Sequence, residues 1–297
     1  MNPEEFEYLL KLLDDESREI QELIKDSIQD AYFELPVERW KEIADKLDHT
    51  IKKKINAKYR QFHLKFFDLF LSLWAQEHYD KYKVFLDNLE KKGLNISIEP
   101  FLSNFLYLVS RLTYAFLTIE EFNSLFDDLL KSIPNFFASE YTTLEQARYF
   151  SWLFYKWEKF FHTQEIALEL SFSPYSVMKK RKGSNFAIAI IIIALAEKLG
   201  LQWYIVSDIY FKISYVVIPI DKNFSLQPLL LNTTSGVILS HIPNVINMQL
   251  VRLMSSPQKR LISVYNFLSA YRQSVIFDKA LFNSLNRAIN FLKKKIK

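Results

Sequence analysis

Apolar residues recur at helical spacing along the first half of the chain. Phe6, Leu9, Leu10, Leu12 and Leu13 form one stripe. The acidic turn Asp14-Asp15-Glu16-Ser17 breaks it, and Ile20, Leu23, Ile24 and Ile28 form a second. Asn2-Pro3-Glu4-Glu5 opens this unit with a cap, a first-turn proline and acids at the positive end of the helix dipole. Pro36 starts a further helix with Trp40, Ile43, Leu47 and Ile51 on one face, followed by the strongly apolar stretch from Phe62 to Phe85. Lys91-Lys92-Gly93-Leu94-Asn95 reads as a helix stop and loop. Phe101 to Phe116 and Ile119 to Ile133 predict a helical pair, with Thr118 capping the second helix through Glu121. Pro134-Asn135 interrupts the pattern and sets a boundary near residues 134–142.

Thr143 to Phe161 continues the helical period and is dense in aromatic residues, among them Tyr149, Trp152, Tyr155 and Trp157. Ser171 to Pro174 reads as a loop, and Tyr175 to Lys182 as a short helix with a basic end. Gly183 punctuates the chain. Ser184 or Asn185 caps the next helix, whose apolar run from Phe186 to Ala196 is the longest in the sequence, and Gly200 ends it from the C′ position. That run is about half of the roughly 20 residues a membrane span needs, so it predicts a buried helix. The apolar period then changes from helical to alternating. Trp203 to Val206, Phe211 to Ile218 and Ser225 to Leu231 predict strands, the last with Pro228 at an edge or bulge. Val237 to Leu239 extends them after the turn Thr233-Thr234-Ser235-Gly236. From Ile246 onward helical spacing returns, through Leu250, Leu253, Leu261, Val264, Leu268, Leu281, Leu285, Ile289 and Leu292.

Composition narrows the function classes. Only 4 of 297 residues are glycine, which favours long helices over a meander of short strands and leaves no phosphate loop or dinucleotide fingerprint. The chain has no cysteine, so disulfides, thiolate metal sites and a cysteine nucleophile are all ruled out. This fits a reducing, cytoplasmic compartment. The acidic, amphipathic stretch from Met1 to Asp15 does not read as a signal peptide. The net charge is +4, with cations in short runs at Lys52-Lys53-Lys54, Lys179-Lys180-Arg181-Lys182 and Lys293-Lys294-Lys295. Each run reads as a solvated helix end, which argues against a dedicated nucleic-acid surface. The five histidines, His49, His63, His78, His162 and His241, show no metal-ligand spacing, and no cofactor or metal is implied.

One stretch carries a family resemblance. Arg181-Lys182-Gly183 precedes a buried helix that ends in Ala196-Glu197-Lys198-Leu199-Gly200-Leu201 and is followed by strands. This order resembles the bacterial transglutaminase-like family of the SirB type. The turn Asn232-Thr233-Thr234-Ser235-Gly236 stands where that family has an Asp/Asn-Pro-Phe-x-Gly turn. The resemblance implies a Cys at the start of the central helix, with His and Asp on two adjacent strands. In that chemistry the helix start and the imidazole favour the thiolate, and the third group orients the imidazole. Here the Cys position falls on Asn185, the His position on Tyr210 or Phe211, and the Asp position on Asn232. None of the four is a nucleophile or base of the required kind.

These readings together predict an α+β, mostly helical protein. A helical, HEAT-like domain would span residues 1–138. A transglutaminase-like core with a short antiparallel sheet would span 139–242, and a TPR-like helical hairpin 243–297. The resemblance implies a non-catalytic pseudoenzyme working through a protein or peptide partner, with Arg181, Gly183 and Ser184 at the rim of a vestigial pocket. Two other readings stay open. One is a residual hydrolase or transferase using Ser184 or Tyr210, with His162 or His241 as base. The other is a helical-repeat nucleic-acid binder using the lysine runs, against which the modest net charge speaks.

Overall fold

The computed structural model describes residues 102–114, 117–163, 168–208, 213–221, 223–255, 259–276 and 278–296, together with residues 8, 12, 17, 19, 20 and 23. The expected HEAT-like repeat, the helix after Pro36 and the apolar stretch from Phe62 to Phe85 lie almost wholly outside these residues, as do Tyr210 and Phe211. Within them the protein is α+β, mostly helical, with a small antiparallel sheet and C-terminal helices. No described helix is long and apolar enough to cross a membrane.

Helix α1 (Leu102–Arg111) is buried on every face. Helix α2 (Ile119–Lys131) begins at the expected capping box, in which Thr118 Oγ1 accepts the Glu121 N–H and the Glu121 carboxylate accepts the Thr118 N–H. The short turn α3 (Phe137–Glu140) leads to α4 (Thr143–Trp152), which opens on a second capping box between Thr142 and Glu145. The helical run does not reach Phe161. It widens into a π-helical turn over Leu153–Trp157, closed by Glu158 N–H donating to Leu153 O at 2.8 Å, and then stops.

Strand β1 (Phe161–His162) pairs in parallel with β2 (Lys182–Gly183). Between them lie α5 (Leu168–Phe172) and α6 (Pro174–Lys180). The expected loop from Ser171 to Pro174 is therefore a helix–helix junction. Ser171 and Phe172 end α5, and Pro174 starts α6, where its missing N–H is no loss.

Helix α7 (Asn185–Lys198) is the centre of the core. Twelve of its residues, from Asn185 to Ala196, are buried. A helix apolar on all sides must be covered on all sides, and α7 packs against α1, α6, the sheet and a C-terminal helix. Its isoleucines, all at most 1% exposed, each contribute about 1.5–3 kcal/mol of burial free energy. Gly200 takes the left-handed conformation, φ +78°, that ends the helix.

The sheet runs β3 (Tyr204–Asp208), β4 (Ile213–Ile218), β5 (Leu229–Asn232) and β6 (Ile238–Leu239), antiparallel throughout and in sequence order. Alternation sorts its two faces. Ile205, Val216, Ile218, Leu229 and Leu231 join the core around α7. Val206, Tyr215, Val217 and Leu230 join a second cluster with Ile246, Leu250 and Leu253 of α8 (Asn244–Ser255). The sheet is thus a layer between α7 and α8. Helices α9 (Lys259–Ser274) and α10 (Lys279–Ile296) pack against each other, and α9 also covers β3. Residues on both sides of Pro134 share one core.

Candidate functional site

Asn185 is the first residue of α7 and is 2% exposed. Its neighbour Ser184 is the N-cap. Ser184 Oγ accepts the Ala187 N–H at 3.1 Å, and Ser184 N–H donates to Ser171 O at 2.8 Å. This satisfies donors that a helix start would otherwise leave orphaned. Gly183 is pressed between α6 and this cap. A Cβ there would lie 2.2 Å from Val177 Cγ2 and 2.9 Å from Ser171 O, so backbone approach demands glycine.

Asn185 Nδ2 donates to Thr234 Oγ1 at 3.1 Å. Thr234 lies in the turn after β5, and that turn is built by Asn232. Asn232 Oδ1 accepts the N–H groups of Thr234 and Ser235 at 2.8 and 3.2 Å, and Gly236 N–H donates to Asn232 O. Gly236 sits at φ +74°, where a side chain would be strained, and its face is covered by the Tyr155 ring. Two further bonds clamp the turn to α4 and its π-helical extension. Ser151 Oγ donates to Gly236 O at 2.6 Å, and Tyr155 OH donates to Thr233 O at 2.7 Å. Burial pushes the Tyr155 phenol far above its ordinary value, so it stays a neutral donor. Thr233 and Ser214, both fully buried, bond through their hydroxyls beneath the turn.

The site therefore brings Asn185 to the turn of Asn232, and the link between them is Thr234. Asn232 itself pairs with Tyr215 and shares the face of Leu230, while Leu229 and Leu231 face α7. Tyr210 and Phe211 fall between the last register pair of the β3–β4 hairpin, Asp208 and Ile213, outside the described residues. Arg181 takes a left-handed conformation at φ 56° and forms an ion pair with Glu158 at 2.7 Å, its guanidinium over the Phe160 ring.

His162 is a register partner of Gly183, one residue from Ser184. Its Nδ1 is buried and makes no hydrogen bond among the described residues. His241 is exposed. Neither is hydrogen-bonded to Ser184, whose hydroxyl is engaged by the Ala187 N–H. Among the described residues no group of three His, Asp or Glu side chains is placed to hold a metal ion. Sequence reasoning missed Thr234, Thr233, Ser214 and Tyr155 as parts of this site. The threonines read only as turn residues, and Tyr155 only as one more aromatic on a helix.

No protein-family model, no curated protein and no solved structure matches this chain.

Proposed function

We propose that the chain is a non-catalytic, transglutaminase-like protein that acts as an interaction or regulatory module for a protein or peptide partner. The observation that carries this reading is the pairing of Asn185 with Thr234. The resemblance puts the nucleophile at Asn185, and that side chain is an amide engaged in a structural bond. Asn232 spends its own amide oxygen on the turn. Groups held in this way support a fixed surface, and they offer neither a nucleophile nor a base. Exposed large apolar side chains on α8, Met248 and Val251 among them, favour a partner-binding role.

The second reading is a residual hydrolase or transferase. It is favoured by one observation, the buried, unbonded Nδ1 of His162 beside the Gly183–Ser184 junction. A single experiment separates the two. The full chain is treated with a serine-directed fluorophosphonate probe and assayed for acyl transfer from a glutamine peptide to an amine. No labelling and no product are expected. Labelling or turnover that disappears in both Ser184→Ala and His162→Ala variants overturns the non-catalytic reading.

A further inference from the structure

The π-helical turn after α4 has a consequence on the surface. In a regular α-helix residues i and i+5 stand roughly 140° apart. The wider turn over Leu153–Trp157 brings position i+5 back over i, and the indoles of Trp152 and Trp157 stack with centroids 5.5 Å apart at 30°. Both are exposed, at 45% and 64%. A few residues on, exposed Phe161 lies under Lys182 Nζ at 4.7 Å, because the β1–β2 register sets the two residues side by side.

Cations alternate with these rings. Arg148 is exposed one helical turn before Trp152, and Lys156, next to Trp157 in sequence, is exposed one turn after Trp152. Two acids stand near these rings among the described residues. The Glu145 carboxylate accepts the hydroxyl and the N–H of the N-cap Thr142, which holds it below its ordinary value, so it stays anionic three residues from Arg148. Glu158 is paired with Arg181 at 2.7 Å. Among the described residues, the cations Arg148, Lys156, Lys159, Arg181 and Lys182 outnumber the acids Glu145 and Glu158 on the segments that carry these rings, although the charge of the whole chain is modest.

We propose that Trp152, Trp157 and Phe161, with Arg148, Lys156 and Lys182, form a stacking platform for single-stranded nucleic acid. Trp157 stacks on Trp152 by one face and is 64% exposed, so its outer side accepts a base of any identity, and the neighbouring cations meet the phosphates. An acidic peptide would satisfy the cations but would leave the exposed side of Trp157 without a stacking partner. This site stands independently of the non-catalytic reading above.

The test is titration of the full chain with a short fluorescent oligothymidylate at low salt, read by anisotropy and by tryptophan quenching. Binding with quenching is expected. Trp157→Ala should weaken it about tenfold or more, since one stacked base is lost. Lys156→Glu combined with Lys182→Glu should flatten the slope of log affinity against log salt by roughly 0.7 for each phosphate contact removed. Both variants change exposed side chains, and circular dichroism verifies the fold. Three outcomes overturn the proposal: no binding at low salt, binding that Trp152→Ala and Trp157→Ala leave unchanged, or equal competition by polyglutamate.

Discussion

Asn185, at the start of a buried helix, is hydrogen-bonded through its side-chain amide to Thr234, 49 residues away in the turn after β5. The bond fixes the helix start against the end of the sheet. Asn185→Ala should cost about 0.5–1.5 kcal/mol, because it removes the bond made by a buried amide while the exposed Thr234 hydroxyl turns to water. Denaturant unfolding measures this as a lower midpoint with unchanged slope. A double-mutant cycle with Thr234→Ala should show coupling, and strict additivity would remove the bond from the account.

Two glycines should respond very differently to alanine. At Gly183 the added carbon meets Val177 Cγ2 at 2.2 Å and a backbone oxygen at 2.9 Å. At Gly200 nothing lies within 4 Å, and only the left-handed backbone, φ +78°, opposes the change. Gly200→Ala should cost about 1–2 kcal/mol, the penalty of that conformation. Gly183→Ala should cost more, because overpacking is added in a region that cannot relax. Thermal unfolding of the pair gives the order, and the reverse order would contradict the packing around Gly183.

Strand β3 is an edge of its sheet, yet its outer backbone groups are not left open. Ile205 N–H donates to Ser263 Oγ at 2.9 Å, and Asn266 Nδ2 donates to Ile205 O at 2.9 Å. Gln249 takes the Ser207 N–H at 3.0 Å and donates back to Ser207 O. Side chains from α8 and α9 thus act as the missing neighbouring strand, which protects the edge against pairing with another chain. Asn266→Ala should destabilise by about 1–3 kcal/mol, since a buried carbonyl loses its donor. Light scattering near the unfolding midpoint should rise in Asn266→Ala and Gln249→Ala relative to the unaltered protein.

Glu197, near the end of α7, accepts the Leu102 N–H at 2.6 Å and pairs with Arg260 at 2.6 Å. Burial pushes its carboxyl above the ordinary glutamate value, against the opposing pull of Arg260 and the Leu102 N–H. The folded protein therefore binds this proton more tightly than the unfolded chain does. That contribution is full below the ordinary glutamate value and is lost as pH rises through the raised one. Stability measured across mildly acidic pH should fall with rising pH relative to Glu197→Gln, which keeps an acceptor for Leu102. A constant difference between the two proteins would show that Glu197 is not shifted.

Local chemistry made part of this protein legible in its sequence. The capping box of Thr118 and Glu121 depends on residues three apart, the stop at Gly200 on one residue's conformational freedom, and the strands from Trp203 onward on alternation, so short windows contain the whole cause. The burial of α7 followed from its being apolar all round. Tertiary structure alone decided the rest. Asn185 and Thr234, Ser263 and Ile205, and Gln249 and Ser207 are ordinary polar residues whose partners lie 49, 58 and 42 positions away. Nothing in a serine or a glutamine names the backbone group it will satisfy, because that depends on which surfaces the collapsed core brings together. The stacking of Trp152 on Trp157 is of the same kind. The helical period places those rings on different faces, and only the π-turn, stabilised where α4 meets the Thr233–Gly236 turn, aligns them.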